Sequence, residues 1–214
     1  MSLELLYKSC LESIYMVLAS GIGSCLFGIP LGIALFVSNQ NQIMASKVRY
    51  HVLNSLVNGA RSVPFIILLV AIIPFTRFIV GSSIGTNAAI VPLTIAAIPF
   101  MARLVDGVLA ELPSGLTEAM QSMGASPLQI VAKGLIPESL PGIINAITVT
   151  LVNLIGYSAM AGTVGGGGLG DLAIRYGYQR FDGKVMLITV IILVFMVQGV
   201  QSCGDLLAKR LRRV

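Results

Sequence analysis

The stretch SIYMVLASGIGSCLFGIPLGIALFVSNQNQIMAS, residues 13–46, carries no charged side chain and is apolar over most of its length. A helix needs about 20 predominantly apolar residues to cross the hydrocarbon core of a bilayer, and this run exceeds that. Three further neutral stretches follow at 78–102, 139–170 and 185–204, each long enough to span. The run 62–76 is shorter, but extending it back past Arg61, whose guanidinium can snorkel to the interface, gives a fifth workable helix. The 214 residues as a whole are 56% hydrophobic and 11% charged, with a mean hydropathy of +0.90, whereas soluble domains carry about 25% charged residues. The expected fold class is an all-α integral membrane protein. Its single transmembrane domain, 1–214, has five transmembrane helices at about 10–38, 52–76, 86–110, 139–164 and 185–208.

The net charge of +5 does not indicate nucleic acid as a partner, because the basic residues form no face that could track phosphates. A membrane explains their distribution. With an odd number of spans and the N-terminus outside, Lys47, Arg49, Arg61, Arg103, Lys133, Lys209, Arg210, Arg212 and Arg213 fall on the cytoplasmic side. Lys8, Arg77, Arg175, Arg180 and Lys184 fall outside, which is the bias of the positive-inside rule. The C-terminus and the connection 111–138 are then cytoplasmic. Glu4, Lys8 and Glu12 precede an apolar run far longer than a signal peptide's, so the first span is expected to remain uncleaved.

Little in the chain supports chemistry of its own. Cys10, Cys25 and Cys203 are far apart, with no metal-ligand or disulfide spacing, and read as packing residues. His51 is the only histidine, so a histidine-based metal site or a serine triad would rest on one interfacial side chain. No metal site is expected. The run Gly165, Gly166, Gly167, Gly168 lacks the lysine and hydroxyl of a phosphate-binding loop, and reads as a flexible helix exit before an amphipathic external segment. A secondary carrier or channel would want charges in mid-membrane or paired broken repeats; the central portions of the spans contain no Asp, Glu or Lys. Asp106, Glu111, Glu118 and Glu138 have no histidine or cysteine cluster beside them to support acid–base catalysis. Pairs of small residues, Gly28 with Gly32 and Ser158 with Gly162, allow close approach of helices, within the chain or between copies.

The connection 111–138 has structure written into it. Leu116, Ala119, Met120 and Met123 fall at the spacing of one apolar helix stripe, and Gly124 follows where a left-handed C-cap favours glycine. Ser126, Pro127 and Gln129 then form the signature of a capped helix start, and Leu128, Val131 and Leu135 give that helix an apolar face. Pro137, without an amide hydrogen, is expected to end it before the next span. The product is a short helical hairpin. By geometry alone it is either a connector packed on its own bundle or an element offered to a partner.

Glu118-Ala119-Met120, then Gly124, then Ile136-Pro137 resembles the Glu-Ala-Ala signature of bacterial ABC importer permeases, in which glycine and Ile-x-Leu-Pro follow at fixed spacing. The spacing is kept. Met120 replaces the second alanine, Gly134 the isoleucine and Ile136 the leucine. Arg61-Ser62-Val63-Pro64-Phe65-Ile66-Ile67-Leu68-Leu69, Ile73-Pro74-Phe75-Thr76-Arg77 and Gly156-Tyr157-Ser158-Ala159-Met160 are similar to the permeases of methionine importers. This resemblance implies a type I ABC importer permease fold with a cytoplasmic coupling hairpin, in the bacterial inner membrane. It also implies a second copy of the chain, a separate dimeric ATPase that binds ATP and Mg, and an external methionine-binding lipoprotein, moving L- and D-methionine inward by alternating access. It assigns Glu118, Ala119, Gly124, Ser126 and Pro137 to the ATPase contact. Another amino acid or small polar solute is the alternative cargo.

Candidate path residues lie on the fourth span. Tyr157 and Met160, at i and i+3, share a face, and a thioether beside a ring is either a surface for a methionine side chain or ordinary packing. Asn145 and Asn153, eight apart, should face protein or water, either along the path or as bridges between helices.

Overall fold

The computed structural model describes residues 3–40 and 42–211. Arg212 and Arg213, two of the expected cytoplasmic cations, lie outside the described residues. The elements are α1 (Leu3–Ser38), α2 (Lys47–Ser62), α3 (Phe65–Ala71), α4 (Ile73–Val80), α5 (Thr86–Ala110), α6 (Ser114–Ser122) and α7 (Pro127–Gln129). A π-helical turn (Ile130–Leu135), α8 (Ile136–Thr163), α9 (Gly168–Leu172), a second π turn (Ala173–Tyr178) and α10 (Gly183–Leu211) complete the chain. Helix α5 covers the interval expected for the third span, and α1, α8 and α10 include most or all of those expected for the first, fourth and fifth.

Small residues let α1 lie against α5. A Cβ on Gly28 would sit 2.7 Å from Met101 Cβ, and one on Gly32 would sit 2.5 Å from the Ala102 carbonyl oxygen. Intramolecular packing is therefore what this pair serves. Several hydroxyls buried in the bundle bond within their own helix: Ser20 Oγ donates to the Met16 carbonyl at 2.6 Å, and Thr150 Oγ1 to the Ala146 carbonyl at 2.8 Å. With no water at that depth, an unpaired polar group would cost several kcal/mol, of order the figure for transfer into hydrocarbon.

The second span departs from the expected single helix at 52–76. It is broken between Ser62 and Phe65, and α2 and α3 meet at 98°. Pro64 is the cause: its ring pushes the preceding residue out of the α region, and Val63 is extended at φ −81° and ψ 122°. A second interruption at Ile72 starts α4, with Pro74 in its first turn. Length and neutrality identify a spanning segment here but do not make it straight.

The glycine run is also not a flexible exit. The Gly168 N–H donates to Glu12 Oε2 at 2.9 Å, the Leu169 N–H to Ser13 Oγ at 2.8 Å, and the Gly85 N–H to the Gly165 carbonyl at 2.9 Å. Gly167 and Gly168 have φ of 80° and 73°, a conformation natural to glycine, and turn α9 back onto α1 and α8. Leu169 and Leu172 are buried there with Val185. The chain thus has a glycine end, closed by this packed segment, and opposite it a hairpin end, where α5 runs into α6.

Candidate coupling hairpin and translocation path

Helix α6 opens after Pro113 and closes at Gly124, whose φ of 78° supplies the left-handed residue. Its N–H donates to the Gln121 carbonyl at 2.9 Å, and the Ala125 N–H to the Met120 carbonyl at 3.0 Å, so the last carbonyls of the helix find partners. Both arms of the capping box at Ser126 form: its N–H donates to Gln129 Oε1 at 2.8 Å, and the Gln129 N–H to Ser126 Oγ at 3.4 Å.

Pro137 does not end the second arm. Helix continues without interruption from Pro127 to Thr163. The Ile136 N–H reaches back five residues to the Val131 carbonyl, and Pro137 occupies the first turn of α8, where the ladder changes register from π to α. A proline there lacks an N–H the ladder does not need in its usual place. The second arm is therefore one body with the fourth span.

Glu118, Ala119, Gly124, Ser126 and Pro137 are all exposed at the hairpin end. The expected apolar stripes split. Leu116 and Met120 turn inward onto the cluster containing Leu109, Ile130 and Leu135, while Ala119 is exposed and Met123 is 77% exposed. On the second arm Leu135 is buried but Leu128 is 80% exposed. Periodicity finds a face; it does not say which neighbour covers it. Ala119, Met123 and Leu128 thus leave apolar atoms uncovered around the Gly124 turn, with Glu118 at their edge.

Two of the three departures from the signature, Met120 and Gly134, meet across the hairpin. A Cβ on Gly134 would run into the Met120 sulfur, so the larger residue on α6 sits where the smallest one opposite leaves it room. This pairing across the hairpin gives the second arm its close packing.

Asn145, Asn153 and Met160 lie with Val149, Gly156 and Thr163 at steps of three and four along α8. Most of this stripe is exposed in the protomer, Met160 to 48%, while Asn153 is half-buried. Among the described residues neither asparagine has a hydrogen bond bridging it to another helix. Tyr157 stands beside the stripe, its ring stacked on Phe65 at 4.4 Å and 3° between planes, so it packs within the protomer and does not share Met160's exposure.

One polar cluster escaped the reading of the sequence. Arg103 of α5 donates through Nη2 to Asn54 Oδ1 at 2.5 Å and Asn58 Oδ1 at 2.7 Å on α2, and through Nη1 to Asp106 Oδ2 at 3.0 Å. The Arg103–Asp106 spacing and the Asn54–Asn58 spacing each mark one helix face, but nothing local says that the two faces meet. Among the described residues no cluster of three His, Cys, Asp or Glu could hold a metal, and the three cysteines are free.

A family model described as the binding-protein-dependent transport system inner membrane component matches residues 28–213. The chain is 54% identical over 207 residues to the probable D-methionine transport system permease protein MetI of Vibrio cholerae, covering 97% of this chain and 92% of that protein. It is 52% identical over 207 residues to the protein of the same description from Pasteurella multocida, covering 97% and 95%. A solved structure of inward-facing conformations of the MetNI methionine ABC transporter matches with a TM-score of 0.98 and 48% identity over the full length of both chains. With its spans, its hairpin and nearly its whole length matched in this way, the chain belongs to the family of inner membrane components of binding-protein-dependent transport systems.

Proposed function

We propose that this chain is the permease subunit of an ATP-driven ABC importer that carries methionine, in its L and D forms, across the bacterial inner membrane. The observation that carries the reading is the hairpin tip. Ala119, Met123 and Leu128 are exposed around the Gly124 turn, uncovered by the rest of the chain. Covering a side chain such as Met or Leu is worth about 1.5–3 kcal/mol, so the tip is stable in water only at a cost that a docked partner removes. A groove on a separate ATPase dimer is that partner, and it supplies the ATP and Mg sites that this non-catalytic chain does not. Methionine as cargo is supported by the relatives named as D-methionine permeases.

The uncovered α8 stripe suits the other half of the task. Two copies of the chain facing each other across Asn145, Asn153, Gly156 and Met160 enclose a path with amide groups for a polar backbone and a thioether for an apolar side chain. The N-terminus and the glycine end lie outside, where a methionine-binding lipoprotein docks, and the hairpin and C-terminus lie in the cytoplasm. ATP-driven closure of the ATPase pushes on the hairpin, which moves α5 and α8 together and alternates access to the path. Reconstitution with the ATPase and the binding protein tests this: methionine uptake should require ATP and all three components, and uptake that persists without ATP would overturn it. Met160→Ala should alter methionine transport kinetics, and unchanged kinetics would remove Met160 from the path.

A further inference from the structure

We propose that Arg103 is a positioning residue for transport, a latch through which movement of the hairpin reaches the broken second span. Helix α2 has almost no apolar hold on the bundle, since Val57 is its only buried residue. What fixes it to α5 is polar. Arg103 Nη2 donates to both Asn54 and Asn58, and Nη1 to the Asp106 carboxylate, which holds the guanidinium from the α5 side. Farther along, the Arg61 guanidinium lies over the Phe100 ring at 5.9 Å, a second tie on the same face of α5. Hydrogen bonds from an ionised donor are about twice as strong as neutral ones, and the guanidinium's two terminal nitrogens let it hold the Asp106 carboxylate with one and both asparagines with the other.

The contacts on either side give the latch something to transmit. Helix α5 runs into α6 through Glu111, Leu112 and Pro113, so displacement of the hairpin moves α5 directly. Helix α2 turns 98° into α3, and Phe65 at that corner stacks on Tyr157 beside the uncovered stripe. Arg103 is the polar tie between these two halves. This inference rests on the coupling role proposed for the hairpin.

The test uses the complete importer in proteoliposomes, with Cys10, Cys25 and Cys203 replaced by alanine and a single reporter, Gly59→Cys on α2 or Gly115→Cys on α6. Both glycines have open space where the new side chain would go. The rate of labelling by a water-soluble maleimide is measured with and without ATP and vanadate, beside ATP hydrolysis and methionine uptake. With Arg103 present, nucleotide should change labelling at both reporters. Arg103→Met should keep the response at Gly115→Cys, lose it at Gly59→Cys and continue to hydrolyse ATP, with uptake per ATP reduced about tenfold, within the range of measured coupling between sites. Arg103→Lys should fall between. If Arg103→Met fails to insert, Asn54→Leu combined with Asn58→Leu replaces it with the same expectation. A nucleotide response at Gly59→Cys that survives these changes, with uptake per ATP at its original value, overturns the latch. Absence of any response at Gly115→Cys in the parent overturns the coupling role and the latch with it. Responses at both reporters without methionine uptake overturn the cargo alone, and the labelling comparison still decides the latch.

Discussion

The chain crosses between spans twice through structured connections, and they are built in opposite ways. At the glycine end, α9 buries Leu169 and Leu172, hydrogen-bonds to Glu12 and Ser13, and lets backbone meet backbone through glycine. At the hairpin end the turn is held by its own caps, and Met123 and Leu128 point away from the protein. One connection buries its apolar residues on the protomer; the other leaves them uncovered, as the proposed ATPase contact requires. The difference can be attacked at either end.

The largest effect is expected where the glycine end is tightest. Gly170→Val places a side chain against the Ala159 backbone, 2.6 Å from its Cα, with no flexible neighbour to give way. A loss of roughly 3 kcal/mol or more should follow from overpacking, seen as loss of folded protein in a detergent melting assay. Gly124→Asp should do the reverse: its Cβ has open space, and the φ of 78° costs an L residue about 1–2 kcal/mol, so the chain should still insert while methionine uptake and coupled ATP hydrolysis disappear. Uptake at the original rate in that variant would make the hairpin a mere connector.

A subtler change tests whether the hairpin packs as a unit. Gly134→Leu should lower stability by about 1–3 kcal/mol by striking the Met120 sulfur, and adding Met120→Ala should restore much of it, a coupling of about 0.5–3 kcal/mol in a double-mutant cycle. Additive losses would show that the two residues do not meet. The smallest effect is back at the glycine end. Thr76 is 4% exposed, its hydroxyl has no partner, and it lines a cavity of about 20 Å³ beside Gly166. Thr76→Val removes an unsatisfied group without changing shape, so melting should stay level or rise, within about 1 kcal/mol.

Charge-free length made four spans legible, and the Gly124, Ser126, Pro127 and Gln129 punctuation made the hairpin legible, because both are local properties of the chain. The remainder depends on neighbours. Pro64 and Pro137 are alike as residues, yet one breaks a span and the other is absorbed at a π turn, since the outcome turns on the register of the surrounding ladder. Met120 and Met123 belong to one stripe by period, yet only Met120 meets Gly134. The Arg103 fork joins residues that are 49 and 45 positions apart, beyond the reach of any spacing rule.

The uninterrupted helix from Pro127 to Thr163 has a mechanical meaning. Its 37 residues form a rod about 55 Å long, nearly twice the thickness of a bilayer's hydrocarbon core of about 30 Å. One end carries the Ser126 cap and the other the Met160 stripe, and the helix is unbroken between them. Under the coupling proposed above, a tilt imposed at the hairpin would arrive at the uncovered stripe as a displacement of comparable size and opposite direction when the pivot lies near mid-membrane, and the stroke would be set by an angle.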